Sequence, residues 1–242
     1  MENFATMKSL YLLCAFSLFA AVMAARADDT NSTPAAAAPA ATASPGFDDP
    51  SKLTATAPDT FKAQFNTTKG KIVIEVTRSQ SPNGADRFYN LVKSGYFTDI
   101  AFFRVVSGFM VQFGIHGDPA VSAKWRGAGA NIQDDPVKGS NTRGTITYAM
   151  SSAPNSRSVQ FFINFGDNSR LDGMGFASFG KVVEGMDVVD KINGEYGDMP
   201  QQGGNGPNPD HIEMEGNAYL KKDFPNLDYI KSATILPADD KK

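Results

Sequence analysis

Short segments with a two-residue alternation of apolar and polar positions recur along the chain after residue 60. Two of them, 61–65 and 71–76, are separated by the tight turn Lys69-Gly70 and predict an opening hairpin. Further strands are predicted at 102–106, 109–114, 145–150, 160–164, 177–183 and 229–236. So many short strands indicate a β-barrel or a β-sandwich, and not alternating β-α-β units.

Two other segments have the 3.6-residue spacing of amphipathic helices. The first begins at Ser81-Pro82, with the serine as cap and the proline in the first turn, and Gly95 ends it. The second covers 186–192, where apolar side chains share one face. Because the helices are few and the strands many, the folded domain, 61–236, is predicted to be mainly β.

The N-terminus has the pattern of a secretory signal. An apolar run extends from Leu10 to Ala25, and Ala25-Arg26-Ala27 has the small-x-small pattern of a cleavage site. The run is short for a membrane span, and no charged stop signal follows it. We therefore expect residues 1–27 to be a cleaved signal peptide. This predicts an exported protein, periplasmic or secreted, with no stable membrane insertion after cleavage.

The next stretch, 28–60, is rich in alanine, proline and threonine. It is poor in the large apolar residues that offset the entropy cost of ordering a chain. We therefore predict a flexible linker before the domain, and a short C-terminal tail at 237–242.

The composition excludes several classes of function. The 242-residue chain has a formal net charge of −3 and a pI of about 5.4, so no basic surface favours nucleic acid as a partner. Its only cysteine is Cys14, and its only histidines are His116 and His211. Nucleophilic thiols, disulfides and zinc sites of cysteine and histidine are therefore excluded or nearly so. We expect no metal and no cofactor.

Polar groups stand where purely structural strands would not need them. Arg104 and Gln112 flank Phe109 and Met110, and a second glutamine, Gln160, precedes another aromatic strand. Aromatic and thioether side chains beside one fixed cation form an apolar pocket with a single strong hydrogen-bond donor. Such a pocket suits an uncharged, apolar ligand that accepts a hydrogen bond, such as a proline ring on its amide.

The motifs that contain these residues resemble the cyclophilin family of peptidyl-prolyl isomerases. The matching strings are Phe102-Phe103-Arg104, Gly108-Phe109-Met110-Val111-Gln112, Gln160-Phe161-Phe162-Ile163 and Leu171-Asp172-Gly173. The resemblance covers about residues 61–236. It implies a closed, eight-stranded antiparallel β-barrel capped by two α-helices, and the activity of a peptidyl-prolyl cis-trans isomerase.

The resemblance also implies the site residues. Arg104 and Gln112 take the catalytic positions, with Gln112 orienting either the substrate carbonyl or Arg104. The implied substrate-binding positions are Phe109, Met110, Met150, Ser151, Ser152, Gln160, Phe162, Leu171 and Phe176. The substrates implied are proline-containing unfolded or flexible polypeptides, and the protein is expected to be a monomer. Because arginine stays charged, activity should vary little between about pH 6 and pH 8.

Three positions depart from the family pattern. Phe103 stands where the family usually has histidine, and Phe176 stands where it has histidine or tyrosine. Arg170 replaces the tryptophan of members that bind cyclosporin tightly, so we expect weak cyclosporin binding. The loops 114–132 and 197–228 also differ from those of shorter members.

Two other classes of function compete with the enzyme. A catalytically weak proline-peptide-binding module or chaperone would keep the same groove, and Phe103 and Arg170 favour it slightly. A secreted hydrolase has little support, because no histidine accompanies a candidate nucleophilic serine. An isomerisation assay on a proline peptide discriminates among the three.

Overall fold

Eight strands close into a ring in the computed structural model, which describes residues 46–238. The strands are β1 (Thr60–Thr67), β2 (Lys71–Thr77), β3 (Ile100–Val106), β4 (Met110–Phe113), β5 (Thr145–Tyr148), β6 (Phe161–Asn164), β7 (Ser178–Glu184) and β8 (Tyr229–Ile235). Their order around the barrel is β1-β2-β7-β5-β6-β4-β3-β8, and the paired strands are antiparallel. The predicted closed antiparallel barrel is confirmed.

Aromatic rings fill the inside of this barrel. Phe65, on β1, lies 5.0 Å from Phe97 and 5.9 Å from Phe88, ring centre to ring centre. Phe161 and Phe179 face the same space from β6 and β7, and both contact Phe88. These side chains are fully buried, so the alternating apolar positions of the strands form one continuous core.

Within residues 46–238, four α-helices and several 3-10 turns precede or connect the strands. The helices are α1 (Pro82–Lys93), α2 (Pro119–Lys124), α3 (Met186–Val189) and α4 (Pro209–Asp223). The 3-10 turns cover Pro50–Lys52, Arg78–Gln80, Ala128–Ala130, Ser169–Met174 and Pro200–Gln202. Between residues 46 and 238, no helix is both long and apolar enough to cross a bilayer.

The two predicted helices are present with differences in detail. Ser81 is the first cap residue of α1, but its hydroxyl bonds to Asp135 rather than to the helix. The Asp135 carboxylate instead accepts the N–H of Gly84, so a distant acid caps the helix. The second helix, predicted at 186–192, ends at Val189. The helices α2 and α4 were not predicted.

Residues 46–59 pack on the barrel, and we call them the N-terminal strap. Phe47 is buried beside Tyr96, and its carbonyl accepts the indole N–H of Trp125 at 3.2 Å. Farther along, the N–H of Ala57 donates to Asp86 on α1 at 2.8 Å. This strap lies within the predicted flexible linker, 28–60, and in the structure one buried aromatic side chain and specific hydrogen bonds hold it on the barrel.

The remaining terminal predictions lie outside the described residues. These are the signal peptide at 1–27, the linker up to residue 45 and the last residues of the predicted tail, 239–242.

Candidate active site

A β-bulge in β3 turns Arg104 toward the outer surface of the barrel. The register between β3 and β4 shifts between Phe102 and Arg104, so Phe103 is an extra residue on its strand. Phe102 and Val105 belong to the barrel core, whereas Phe103 packs in a second apolar cluster. Two consecutive side chains therefore face outward, and the second of them is the predicted catalytic arginine.

Phe103 departs from the family pattern because a neighbouring segment covers it. Its cluster includes Ile212 and Leu220 of α4 together with Leu227, all of them buried. Histidine would place a polar ring against this apolar surface, where it would need a hydrogen-bond partner. Phenylalanine suits the covered position.

A chain of hydrogen bonds orients Arg104. Its Nη1 donates to Oε1 of Gln112 at 2.9 Å, and Nε2 of Gln112 donates to Oε1 of Gln160 at 3.0 Å. Arg104 lies directly opposite Gln112 in the β3–β4 pair, and Gln112 lies opposite Phe162 in the β4–β6 pair. The barrel thus brings these three polar residues together, and Gln112 contacts the guanidinium of Arg104.

An apolar patch lies beside this chain. Met110, Phe162 and Leu171 are buried together, with Phe109 and Phe176 packed against them. The rings of Phe162 and Phe176 meet edge to face, with 5.8 Å between their centres. The structure therefore brings five of the six predicted apolar binding residues, all except Met150, into one surface outside the barrel core.

Buried amides hold the loops that form this patch, and the sequence analysis missed them. Nδ2 of Asn168 donates to the carbonyl of Phe109 at 2.8 Å and to Oδ1 of Asn164 at 2.7 Å. Asn168 also accepts the N–H of Leu171 through its backbone carbonyl at 2.8 Å. One asparagine therefore fixes the positions of two patch residues. Asparagine in a turn gives no sequence signal for such a role.

An aspartate anchors the turn that carries Leu171. The carboxylate of Asp172 accepts hydrogen bonds from the hydroxyl of Ser140 and from the backbone and side chain of Asn141. Desolvation raises the pKa of Asp172, but these hydrogen bonds outweigh it and lower the pKa below the ordinary value. The carboxylate is therefore a structural anion rather than a proton donor.

Arg170 occupies the tryptophan position and covers part of the patch. Its guanidinium carbon lies 4.9 Å from the ring centre of Phe109, and its Nη1 donates to Oδ1 of Asn168 at 3.1 Å. A cation over an aromatic face is a favourable contact. The exposed rim of the patch is consequently cationic here.

A groove of about 340 Å³ continues from Gln112 and Gln160. Of the predicted residues it contains Met150 and Ser151, whereas Ser152 lines a neighbouring depression together with Met150 and Phe176. The groove's other wall was not predicted and comprises Trp125, Arg126, Met199, Pro209 and Glu213. All five residues lie in the loops 114–132 and 197–228, which differ from those of shorter members of the family.

The unpredicted wall has its own internal contacts. The indole N–H of Trp125 is directed to the strap carbonyl of Phe47, so the ring offers the groove an apolar surface. Glu213 pairs with Arg126 at 2.9 Å. Desolvation raises the pKa of Glu213 above its ordinary value, although Arg126 acts in the opposite direction.

Asp198 contacts the predicted catalytic arginine, and the sequence analysis did not identify it. Its Oδ1 accepts the Nε–H of Arg104 at 2.7 Å, and its Oδ2 accepts from Nη2 at 3.3 Å. The side chain of Asp198 is 28% exposed, and that of Arg104 is 14% exposed. An aspartate in a glycine-rich stretch, separated from its partner by 94 positions, gives no local signal of this contact.

The described residues, 46–238, hold no cluster of three or more histidine, cysteine, aspartate or glutamate side chains that could bind a metal ion. The arrangement supplies the guanidinium of Arg104, held by hydrogen bonds, together with an apolar surface and a side groove.

Comparisons with known proteins agree with this geometry. Residues 62–215 match the family model for the cyclophilin type peptidyl-prolyl cis-trans isomerase. The chain is 39% identical over 134 residues to a peptidyl-prolyl cis-trans isomerase of Acinetobacter baylyi, covering 53% of this chain and 70% of that protein. It is 38% identical over 143 residues to peptidyl-prolyl cis-trans isomerase B of Escherichia coli, covering 54% and 82%.

Solved structures share the fold. A cyclophilin type peptidyl-prolyl cis-trans isomerase of Cryptosporidium parvum superposes with a TM-score of 0.52 at 21% identity, over 74% of this chain and 98% of that one. A second structure of that protein, determined in the presence of the dipeptide Ala-Pro, also gives a TM-score of 0.52, at 22% identity over 73% and 99%. The family match, the bacterial relatives and the barrel together establish that this chain belongs to the cyclophilin-type peptidyl-prolyl cis-trans isomerases.

Proposed function

We propose that this isomerase acts on proline-containing unfolded or flexible polypeptides and that Arg104 is its catalytic residue. The observation that carries the proposal is one guanidinium held at the edge of an apolar patch. Arg104 is 14% exposed, so its charge is partly shielded from water but can still be reached by a ligand. Its cross-strand partner Gln112 lies opposite Phe162, which belongs to the apolar patch.

The chemistry needs no covalent bond to the protein. Rotation about an X–Pro amide has a barrier of about 18–20 kcal/mol, because the twisted amide loses its conjugation. As the amide twists, the prolyl nitrogen becomes pyramidal and gains a lone pair. An N–H of Arg104 donates to that lone pair, which exists only in the twisted state, and so lowers the barrier selectively.

The remaining predicted residues form two surfaces, which bind different parts of the substrate. The proline ring rests on the apolar patch, including Leu171 and Phe176. The groove along Gln160, Met150 and Ser151 receives the residues next to the proline. Of the two roles considered for Gln112, we assign it the orientation of Arg104 rather than of the substrate carbonyl.

The test compares Arg104→Ala with a matched surface variant, Arg143→Ala. Arg143 is exposed and pairs with Asp190. Loss of a charge-assisted hydrogen bond made only in the transition state costs about 2–4 kcal/mol, roughly thirty- to a thousandfold in kcat/KM. We expect that loss for Arg104→Ala in a protease-coupled assay on a proline peptide, and wild-type activity for Arg143→Ala.

Folding of both variants is checked by their thermal midpoints. Near wild-type activity in a folded Arg104→Ala protein would refute the role of the arginine. If the unmodified protein binds a proline peptide such as Ala-Pro but hardly accelerates rotation, the weak binding module or chaperone is the better description.

We further propose that the protein is exported and assists the folding of exported proteins. The support is the sequence pattern of residues 1–27, with cleavage expected after Ala27. Slow prolyl isomerisation limits folding in any compartment, and this activity needs only binding energy. The mass of the protein recovered from the producing cell tests the cleavage, and an intact N-terminus or recovery only from the cytosol contradicts it.

A further inference from the structure

The guanidinium of Arg104 is held on two sides, and only one of them belongs to the predicted motifs. Gln112 takes an N–H of Nη1, whereas Asp198 takes Nε and Nη2 along the opposite edge. A carboxylate that accepts two parallel N–H bonds fixes both the position and the plane of an arginine. A glutamine that accepts one bond leaves the plane free to rotate.

Backbone hydrogen bonds of the 197–228 segment fix the position of Asp198. The carbonyl of Gly197 accepts the N–H of Val105 at 3.3 Å, which attaches the segment to β3 next to Arg104. Beyond it, the carbonyl of Asp198 accepts the N–H of Gly206 at 2.8 Å, and the N–H of Met199 donates to Oδ1 of Asp198 at 2.8 Å. The carboxylate is therefore oriented from its own loop as well as by the arginine.

The close packing of this loop depends on glycine. A Cβ placed on Gly204 would stand 2.0 Å from the carbonyl oxygen of Asp198, which is far inside any van der Waals contact. A side chain at that position would force apart the two parts of the loop that contain Asp198 and Gly204. The glycine-rich sequence after Asp198 thus allows the loop to fold closely against the backbone of Asp198.

Arg104 has N–H groups that remain available to a substrate. Arginine has five N–H groups, and Asp198 and Gln112 take three of them in the part of the chain between residues 46 and 238. One N–H of Nη1 and one of Nη2 remain for a ligand. Because two partners hold the guanidinium, it offers these remaining donors in one orientation.

We propose that Asp198 is a positioning residue for Arg104, so that the 197–228 segment completes the active site. The inference rests on the proposed role of Arg104. Asp198 does not touch the substrate; it holds the guanidinium plane where the prolyl nitrogen pyramidalises. Loss of that hold lowers kcat, because misplaced catalytic groups lose effective concentration, while ground-state binding on the apolar patch is unchanged.

The experiment measures kcat and KM separately, from full progress curves on a proline peptide. Asp198→Asn keeps the side-chain shape but places an amide N–H against the donors of Arg104, and we expect kcat to fall about tenfold or more with KM unchanged. Asp223→Asn is the matched control. It removes a negative charge from the same segment at an exposed position, and it should behave as wild type.

Two further variants separate positioning from a structural effect. Asp198→Glu returns a carboxylate, so it should recover part of the lost kcat. In the Arg104→Ala background, Asp198→Asn should cause no additional loss, since the group that it positions is gone. Thermal midpoints identify any variant that lowers activity through unfolding.

The outcomes are distinct. Wild-type or increased kcat in Asp198→Asn overturns the inference, and so does an equal loss in the Arg104→Ala background. If Arg104→Ala itself keeps full activity, the proposed catalytic role fails first. If Arg104→Ala is inactive and Asp198→Asn is fully active, only the positioning role fails.

Discussion

Replacement of Phe47 by alanine tests whether the N-terminal strap is part of the folded domain. Phe47 is 5% exposed, and its ring contacts Tyr96 and His116 at 5.6 and 5.4 Å between ring centres. Burial of a phenylalanine contributes about 1.5–3 kcal/mol, and truncation in a rigid core costs about 3–5 kcal/mol because a cavity remains. The strap lies at a chain end and can partly relax, so we expect about 3 kcal/mol.

Urea unfolding of the full-length protein measures the loss, with Thr56→Ala as control. Thr56 is an exposed strap residue, so its truncation should leave the unfolding midpoint unchanged. A loss of about 3 kcal/mol lowers the Tm by roughly 6–12 °C for a domain of this size. Equal midpoints for the two variants would refute the reasoning and restore the flexible linker to residue 60.

Hydrogen exchange gives an independent measurement on the same strap. The N–H of Ala57 donates to Asp86 at 2.8 Å, and that of Ala55 donates to Asn90 at 3.1 Å. Both amides should exchange slowly in the wild type and faster in Phe47→Ala, because local opening of the strap exposes them. Free exchange of these amides in the wild type would indicate a strap that is not docked.

Three further predictions concern the site and its surroundings. Phe162→Ala should raise KM and lower kcat/KM by the equivalent of about 1.5–3 kcal/mol, because the proline ring loses buried contact. Unchanged steady-state kinetics would contradict the proposal that the patch binds the proline ring. Arg170→Trp should tighten cyclosporin binding in a calorimetric titration, whereas nanomolar affinity of the wild type would contradict the prediction of weak binding. Burial lowers the pKa of His116, against the opposing carboxylates of Asp118, Asp48 and Asp99. In the unfolded chain this histidine has its ordinary pKa of about 6.5, so near and below that pH the unfolded state binds more protons than the folded state. The free energy of unfolding should therefore fall as the pH drops from about 7 to 5.5. His116→Gln should flatten that slope, and an unchanged slope would exclude His116 as its source.

The strands and the apolar patch could be predicted because their signals are local. Alternation over a few residues places Phe65 inside the barrel, and the intact strings around Phe109 and Phe162 carry the family resemblance. Strand ends were less exact: 109–114 and 145–150 shorten to Met110–Phe113 and Thr145–Tyr148, although the N–H of Ala149 still donates to the carbonyl of Gln160 and that of Phe165 to the carbonyl of Phe109.

The groove wall could not be predicted because its signals are weak or distant. Asn208-Pro209 is a helix-start signal, with a cap and a first-turn proline, and it could have indicated α4. Gly216, at φ 62°, interrupts that helix and hides its period. The contact of Asp198 with Arg104 depends on how the segment docks on β3, which no local pattern encodes.

Closure of the barrel has a consequence for how long a client stays bound. Between residues 60 and 235 each of the eight strands has two neighbours, so the sheet has no free edge. A client therefore cannot extend the sheet and gain a row of main-chain hydrogen bonds, which is the usual source of tight, sequence-tolerant peptide capture. In the proposed binding mode, its hold is limited to one ring on the patch, the residues in the side groove and a few donors, which favours short residence and rapid release. The same closure removes a surface on which unfolded chains could stack and aggregate.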